Sequence, residues 1–150
     1  MIRFAGYAAI FDRPDKGGDI VRKGAFAKAL RQVQAQGQAQ AQAQVQAPGE
    51  RVTAIPLLHQ HDTGRLIGAV EHLSEDARGL RVIAQVDADI AIRPGTGLSF
   101  GYHIRGMDQR TYRELTDLDL IEVSVVTHPM QPLARVLAVE FNPQEKNQGE

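Results

Sequence analysis

The stretch LIGAVEHLSEDARGLRVIAQV, residues 66–86, decides the fold class of this chain. Leu80, Val82, Ala84 and Val86 fall on alternate positions, which is the period of a β-strand with one buried face. The segment before the polar turn sequence SEDARG is similarly apolar. The stretch therefore predicts an antiparallel hairpin, with strands at 66–73 and 80–86.

Short elements of the same kind are predicted on both sides of this hairpin. Strands are predicted at 2–11, 20–21, 51–58, 98–105, 113–116 and 118–127, a turn at 106–112, a helix at 25–33, and a closing helix or strand at 133–141. On the helix, Phe26, Leu30 and Val33 share one face. This pattern predicts a mainly β protein with a few helices (α+β), arranged as a barrel or a sandwich.

The 150 residues fit one domain, which we place at residues 1–141. Residues 34–49 form a Gln/Ala-rich low-complexity insertion without an apolar face, and we expect a solvated loop or a partly helical arm there. Residues 142–150 are polar and are predicted to be a disordered tail.

Composition excludes several classes of function. The chain has 17 Lys and Arg against 18 Asp and Glu, so its net charge of −1 argues against nucleic-acid or membrane-surface binding. It has no cysteine, which excludes disulfides and a thiol nucleophile. No apolar run approaches the ~20 residues of a membrane span, and the N-terminus lacks the apolar segment of a secretory signal. We therefore expect a cytosolic protein that needs no cofactor.

Nucleophile candidates are few, because the chain has only the serines Ser74, Ser99 and Ser124. Ser99 lies in the sequence GLSFGY, residues 97–102, with glycines two positions away on both sides. The glycine that follows it would leave room for a substrate backbone. The same pattern is also common at a tight strand crossing or a bulge.

The base for such a serine has to come from elsewhere in the chain. His103 would lie ~13 Å from Ser99 along a regular strand, too far for proton transfer. His59 and His61 follow an apolar strand and would point the same way, ~6.6 Å apart in extended chain. They could supply a general base or, as a His-x-His pair, part of a metal site in a metal-dependent hydrolase.

A buried carboxylate is predicted in the sequence LDLIEVSVV, residues 118–126. Glu122 shares one face of this apolar strand with Ser124, and a carboxylate there needs a partner. From spacing alone, this partner could be the imidazole of a histidine or the guanidinium of an arginine.

Four motifs in order resemble the prohead (capsid maturation) serine proteases of tailed phages and their relatives in gene transfer agents. They are GAF at 24–26, LLHQHD at 57–62, GLSFGY at 97–102 and LIEVSVVTHPM at 120–130. The resemblance covers residues 2–137 without the Gln/Ala insertion. The family is similar to the herpesvirus assemblin proteases, which implies a closed β-barrel flanked by helices.

By motif, the resemblance implies that Ser99 is the nucleophile, His61 the general base and Glu122 the third member, with Asp119 as the fallback carboxylate. His59 is then a neighbour of the site. The implied function is a serine endopeptidase that cleaves the scaffolding segment of the major capsid protein precursor, and possibly itself, inside the immature capsid in the bacterial cytoplasm. Homo-oligomers are also implied. A non-catalytic capsid-assembly factor is the alternative outside the enzyme classes.

Overall fold

A computed structural model of the protein describes residues 2–33, 55–87 and 89–141. Eight strands form a single sheet, and residues 27–33 are helical. The strands are β1 (Ile2–Ile10), β2 (Asp19–Val21), β3 (Pro56–His59), β4 (Asp62–Glu75), β5 (Gly79–Val86), β6 (Gly97–Gln109), β7 (Arg113–Val126) and β8 (Val136–Phe141). The predicted hairpin is confirmed as β4 and β5.

The sheet is organised around the long strand β7. The strand order is β2-β7-β3-β4-β5-β1-β8, and β6 pairs with β7 along its length. β2 and β3 pair with β7 in parallel, at Arg113–Leu115 and Val123–Val125 respectively, whereas the other pairs are antiparallel. β7 therefore joins the chain segments that carry the predicted serine, histidine and glutamate.

The mainly β class is confirmed, but the closed barrel is wrong for the residues that the structure describes. β6 and β8 are not paired strands: Gly97 forms an isolated bridge with Arg135, the residue before β8, and no continuous ladder closes the sheet. The segment before β8 contains Pro129 and Pro132, which have no N–H to donate to a ladder. Within the described ranges, residues 27–33 are the single α-helical segment, so the predicted flanking helices are not seen there.

The β6–β7 hairpin is longer than the sequence pattern predicts. The strand predicted to end at residue 105 continues to Gln109, and the strands predicted at 113–116 and 118–127 are one strand. Register shifts around Gly106 absorb the irregular pattern without ending the pairing.

The helical segment packs its predicted apolar face on the sheet. The helix starts two residues later than predicted, so Phe26 directly precedes it. Phe26, Leu30 and Val33 are buried, and the Phe26 ring meets the Phe100 ring edge-on at a centroid distance of 5.1 Å. The Glu75 carboxylate accepts hydrogen bonds from the N–H groups of Gly24 and Phe26 and so satisfies free donors before the helix. Phe100, the residue after Ser99 on β6, is therefore packed against the core through an aromatic contact.

Two features predicted from the sequence, the Gln/Ala-rich insertion at 34–49 and the polar tail at 142–150, lie outside the described residues. In the part of the chain that the structure describes, no helix is long and apolar enough to cross a membrane.

Candidate active site

A two-residue turn between β3 and β4 carries His61. Gln60 and His61 both have positive φ, 54° and 60°, and His59 pairs with Asp62 across the turn. Positive φ at both central residues is required by a type I′ hairpin turn, in which glycine and asparagine are usual. For other residues this backbone region costs about 1–2 kcal/mol each. Neighbouring contacts must therefore stabilise the turn.

Strand β7 supplies those contacts. The Gln60 N–H donates to the carbonyl of Val125 at 2.8 Å, and the His61 N–H donates to Ser124 Oγ at 3.1 Å. The Gln60 side chain accepts a bond from the Thr127 N–H at 3.1 Å and donates another to Thr127 Oγ1. These bonds hold the turn, and with it His61, against the end of β7.

The His61 ring is paired with the Glu122 carboxylate. His61 Nδ1 lies 2.5 Å from Glu122 Oε1, and Glu122 is only 6% exposed. The hydrogen bond to Glu122 raises the pKa of His61, the charge of Glu122 adds to that rise, and partial burial of the ring opposes it. Because a carboxylate only accepts, Nδ1 carries the proton, and Nε2 is the nitrogen free to accept another.

Gly101 makes space for this carboxylate. Gly101 lies opposite Glu122 in the β6–β7 ladder, and a Cβ built on it would be 2.5 Å from Glu122 Oε1. The sequence pattern predicts that the glycine after Ser99 leaves room for a substrate backbone. In the structure, the Glu122 side chain occupies that space, so the glycine is required by the carboxylate.

Ser99 lies one strand away from this pair. It is directly opposite Ser124 in the β6–β7 ladder, and Ser124 is the residue that binds the backbone of His61. Among the described residues, the Ser99 side chain has no hydrogen-bond partner. Catalytic hydrogen bonds are often long in substrate-free enzymes and tighten when substrate binds.

Ser99 and His61 line the same cavity, whose volume is about 380 Å³. Apolar side chains from four strands and one loop form much of its wall: Ala8, Ala9, Ile10, Val21, Phe100, Leu115, Val126 and Met130. The polar groups that also face it are Arg13, Asp15, Asp19, Gln60, Tyr102, His128 and Gln131. A concave, largely apolar site with a few polar groups is the usual form of a ligand-binding cleft.

The structure does not bring the other sequence candidates to this site. His103 is exposed, pairs with Asp119 in the ladder and does not line the cavity. Asp119, the fallback carboxylate, binds the guanidinium of Arg105 at 2.5 Å. His61 therefore has Glu122 as its carboxylate neighbour.

The alternative His-x-His metal site is not supported. His59 ends β3 whereas His61 lies in the turn, so the extended spacing assumed for the pair does not apply. Across residues 2–33, 55–87 and 89–141, no group of three or more His, Asp or Glu side chains is placed to hold a metal ion.

The roles of Gln60 and Ser124 in this network were not predicted from the sequence. For Ser124 a signal existed, since strand alternation places it on the same face as Glu122, two residues away. For Gln60 no sequence signal was available, because its contact with Thr127 depends on the turn geometry.

The chain is similar to known proteins of one family. A family model described as caudovirus prohead serine protease matches residues 1–148. The prohead protease of Enterobacteria phage HK97 is 27% identical to this chain over an alignment of 154 residues, gaps included. The alignment covers 91% of this chain and 60% of that protein. This chain therefore spans about three fifths of the length of that relative. Because the family model covers almost every residue, the chain belongs to the caudovirus prohead serine protease family.

Proposed function

We propose that this chain is a serine endopeptidase in which Ser99 is the nucleophile, His61 the general base and Glu122 the carboxylate that orients His61. One observation carries the proposal: the hydrogen-bonded His61–Glu122 pair opens onto the same cavity as Ser99. A nucleophile, a base and a group that orients the base are the three parts of a serine hydrolase site. Membership of a serine protease family supports the same assignment.

The chemistry follows from the protonation state of His61. Nε2 takes the proton of Ser99 Oγ while Oγ bonds to the carbonyl carbon of the substrate, and backbone N–H groups stabilise the oxyanion. Collapse of the tetrahedral intermediate breaks the C–N bond, and His61 gives its proton to the leaving amine. A water molecule, deprotonated by His61, then hydrolyses the acyl-enzyme and releases Ser99.

The proposed substrate is the scaffolding segment of a major capsid protein precursor. The family and the HK97 relative are both named for the prohead, the immature capsid. Cleavage would take place inside that shell, in the cytoplasm of the bacterial host, and would extend to the protease chain itself. Where one copy cleaves a segment of another, the two copies have to associate, so self-association belongs to the same proposal.

Coexpression with the cognate capsid precursor tests the proposal. We expect Ser99→Ala to abolish cleavage, as read by mass spectrometry of the capsid protein, because no other cavity-lining residue is a serine or cysteine. Ser74→Ala is the matched control, since Ser74 lies on β4 and not in the cavity. Continued cleavage with Ser99→Ala would contradict the proposal. Normal shells with an uncut capsid protein for the unchanged chain would instead indicate a non-catalytic assembly factor.

A further inference from the structure

We propose that Ser124 is a positioning residue of this site: its hydroxyl ties the Glu122 carboxylate to the backbone of the turn that carries His61. The proposal rests on the function proposed above. Ser124 Oγ donates to Glu122 Oε2 at 2.5 Å and accepts from the His61 N–H at 3.1 Å. One hydroxyl therefore contacts both members of the His61–Glu122 pair, in addition to their direct contact.

The direction of both bonds is fixed by their partners. An ionised carboxylate can only accept and a backbone N–H can only donate, so the hydroxyl proton points at Glu122 and a lone pair points at His61. With Oε2 held by Ser124, Oε1 is the oxygen left for His61 Nδ1. Ser124 thus sets both the orientation of the carboxylate and the position of the turn.

Burial distinguishes Ser124 from the nucleophile. Ser124 is 0% exposed, and its proton is engaged by Glu122, whereas Ser99 opposite it lines the cavity. Ser124 is therefore inaccessible to a substrate carbonyl. Its backbone pairs with Ser99 on one side and Leu58 on the other. These backbone pairs do not depend on the Ser124 hydroxyl, so its removal should leave the pairing of β7 intact.

Peptide kinetics test the catalytic consequence. The substrate is a peptide that spans a cleavage site mapped on the coexpressed capsid precursor. For Ser124→Ala we expect kcat to fall roughly 10- to 100-fold, because small displacements of a base cost about that much. KM should stay within about twofold, since a residue that does not contact substrate has little effect on binding. An unchanged kcat, or a loss confined to KM, overturns the proposal.

Amide hydrogen exchange tests the positioning itself, in the Ser99→Ala background where the chain cannot cut itself. Ser124→Ala should speed exchange of the His61 amide roughly tenfold, because that N–H loses its acceptor. The Gln60 amide, which donates to Val125 in the same turn, is the internal control and should keep its rate. Equal acceleration of both amides would mean general loosening of the turn and would overturn the proposal.

Failure of this proposal can be separated from failure of the proposed function. If Ser99→Ala still cleaves, the protease assignment fails, while the amide comparison still reports whether Ser124 holds His61. If Ser99→Ala is inactive and Ser124→Ala retains full kcat, only the role of Ser124 fails. If Ser124→Ala does not fold, Ser124→Cys replaces it, because a thiol fills similar volume but is a weak donor and acceptor. The same losses are expected for it, and full kcat again overturns the proposal.

Discussion

Gly101→Ala is the most informative substitution at this site, because it adds one methyl group beside the Glu122 carboxylate. The new Cβ would lie 2.5 Å from Glu122 Oε1 and 3.0 Å from both Cδ and Cγ, whereas ordinary contact begins at 3.4 Å. The carboxylate oxygen therefore has to move by the difference, about 0.9 Å. It cannot move toward His61, because Nδ1 is already at 2.5 Å. It has to move away from His61 or rotate out of line.

Such a movement should weaken catalysis without unfolding the chain. A retreat of 0.9 Å takes the Nδ1–Oε1 distance beyond the ~2.7–3.2 Å range of N–H···O hydrogen bonds. Misplacement of a catalytic group by about 1 Å costs on the order of 100-fold in rate, which corresponds to about 2.7 kcal/mol of activation free energy. The pKa of His61 should also fall toward its ordinary value of 6.5, because the hydrogen bond that raises it is the bond that is lost.

The assay is the pH dependence of kcat/KM for the peptide substrate described above. The maximum should drop about 100-fold, and the acid limb should move to lower pH, because the base stays neutral to lower pH. Gly106→Ala is the matched control: it lies on the same strand, with a Cβ 2.9 Å from Thr116 Oγ1, but far along the hairpin from the site. In a Glu122→Ala background, Gly101→Ala should cause no further loss of kcat/KM, because the side chain it displaces is absent. The reasoning would be refuted if Gly101→Ala and Gly106→Ala lowered kcat/KM equally. It would also be refuted if Gly101→Ala lowered kcat/KM as much in the Glu122→Ala background as in the unchanged chain.

Two further substitutions test the carboxylate and the turn. Glu122→Gln should lower kcat by roughly 10²- to 10⁴-fold, as loss of the orienting carboxylate does in serine protease triads. It should also move the acid limb of the kcat/KM profile toward pH 6.5, because the raised pKa of His61 depends on Glu122; an unmoved limb would exclude Glu122 as the partner of the base. Gln60→Ala should lower the free energy of unfolding by about 1 kcal/mol through the lost Thr127 bonds, measured by urea denaturation in the Ser99→Ala background. Gln60→Gly should be about 1 kcal/mol more stable than Gln60→Ala, because glycine adopts positive φ without strain; equal stabilities would rule out strain at the turn.

Local alternation of apolar residues was sufficient to predict most of the sheet. Leu80, Val82, Ala84 and Val86 are all completely buried, as their spacing indicates. Phe26, directly before the helical segment, is likewise buried at the predicted face. These predictions succeed because burial of one strand or helix face is decided within a few residues.

The predictions that failed depended on relations between distant segments. Whether β6 and β8 close the sheet depends on how the chain approaches Arg135, and no local pattern reports that. The backbone of His61 was predicted to be extended, but contacts with Ser124 and Thr127, more than sixty residues away, hold the turn at positive φ. Gly101 was correctly noted but wrongly explained, because its opposite residue is known only once the register is known.

The arrangement of the site makes the position of the base depend on a strand that carries neither the base nor the nucleophile. β7 presents Glu122, Ser124 and Val125 within four residues, and each contacts the turn that carries His61 or the ring itself. The same strand pairs with β6, which fixes Ser99 opposite Ser124. A shift of one residue between β7 and either neighbour would therefore move the base and the nucleophile apart, since it turns every side chain to the opposite face. The hydrogen bonds between the strained turn and the end of β7 oppose such a shift between β3 and β7, and they also offset the strain of a turn without glycine.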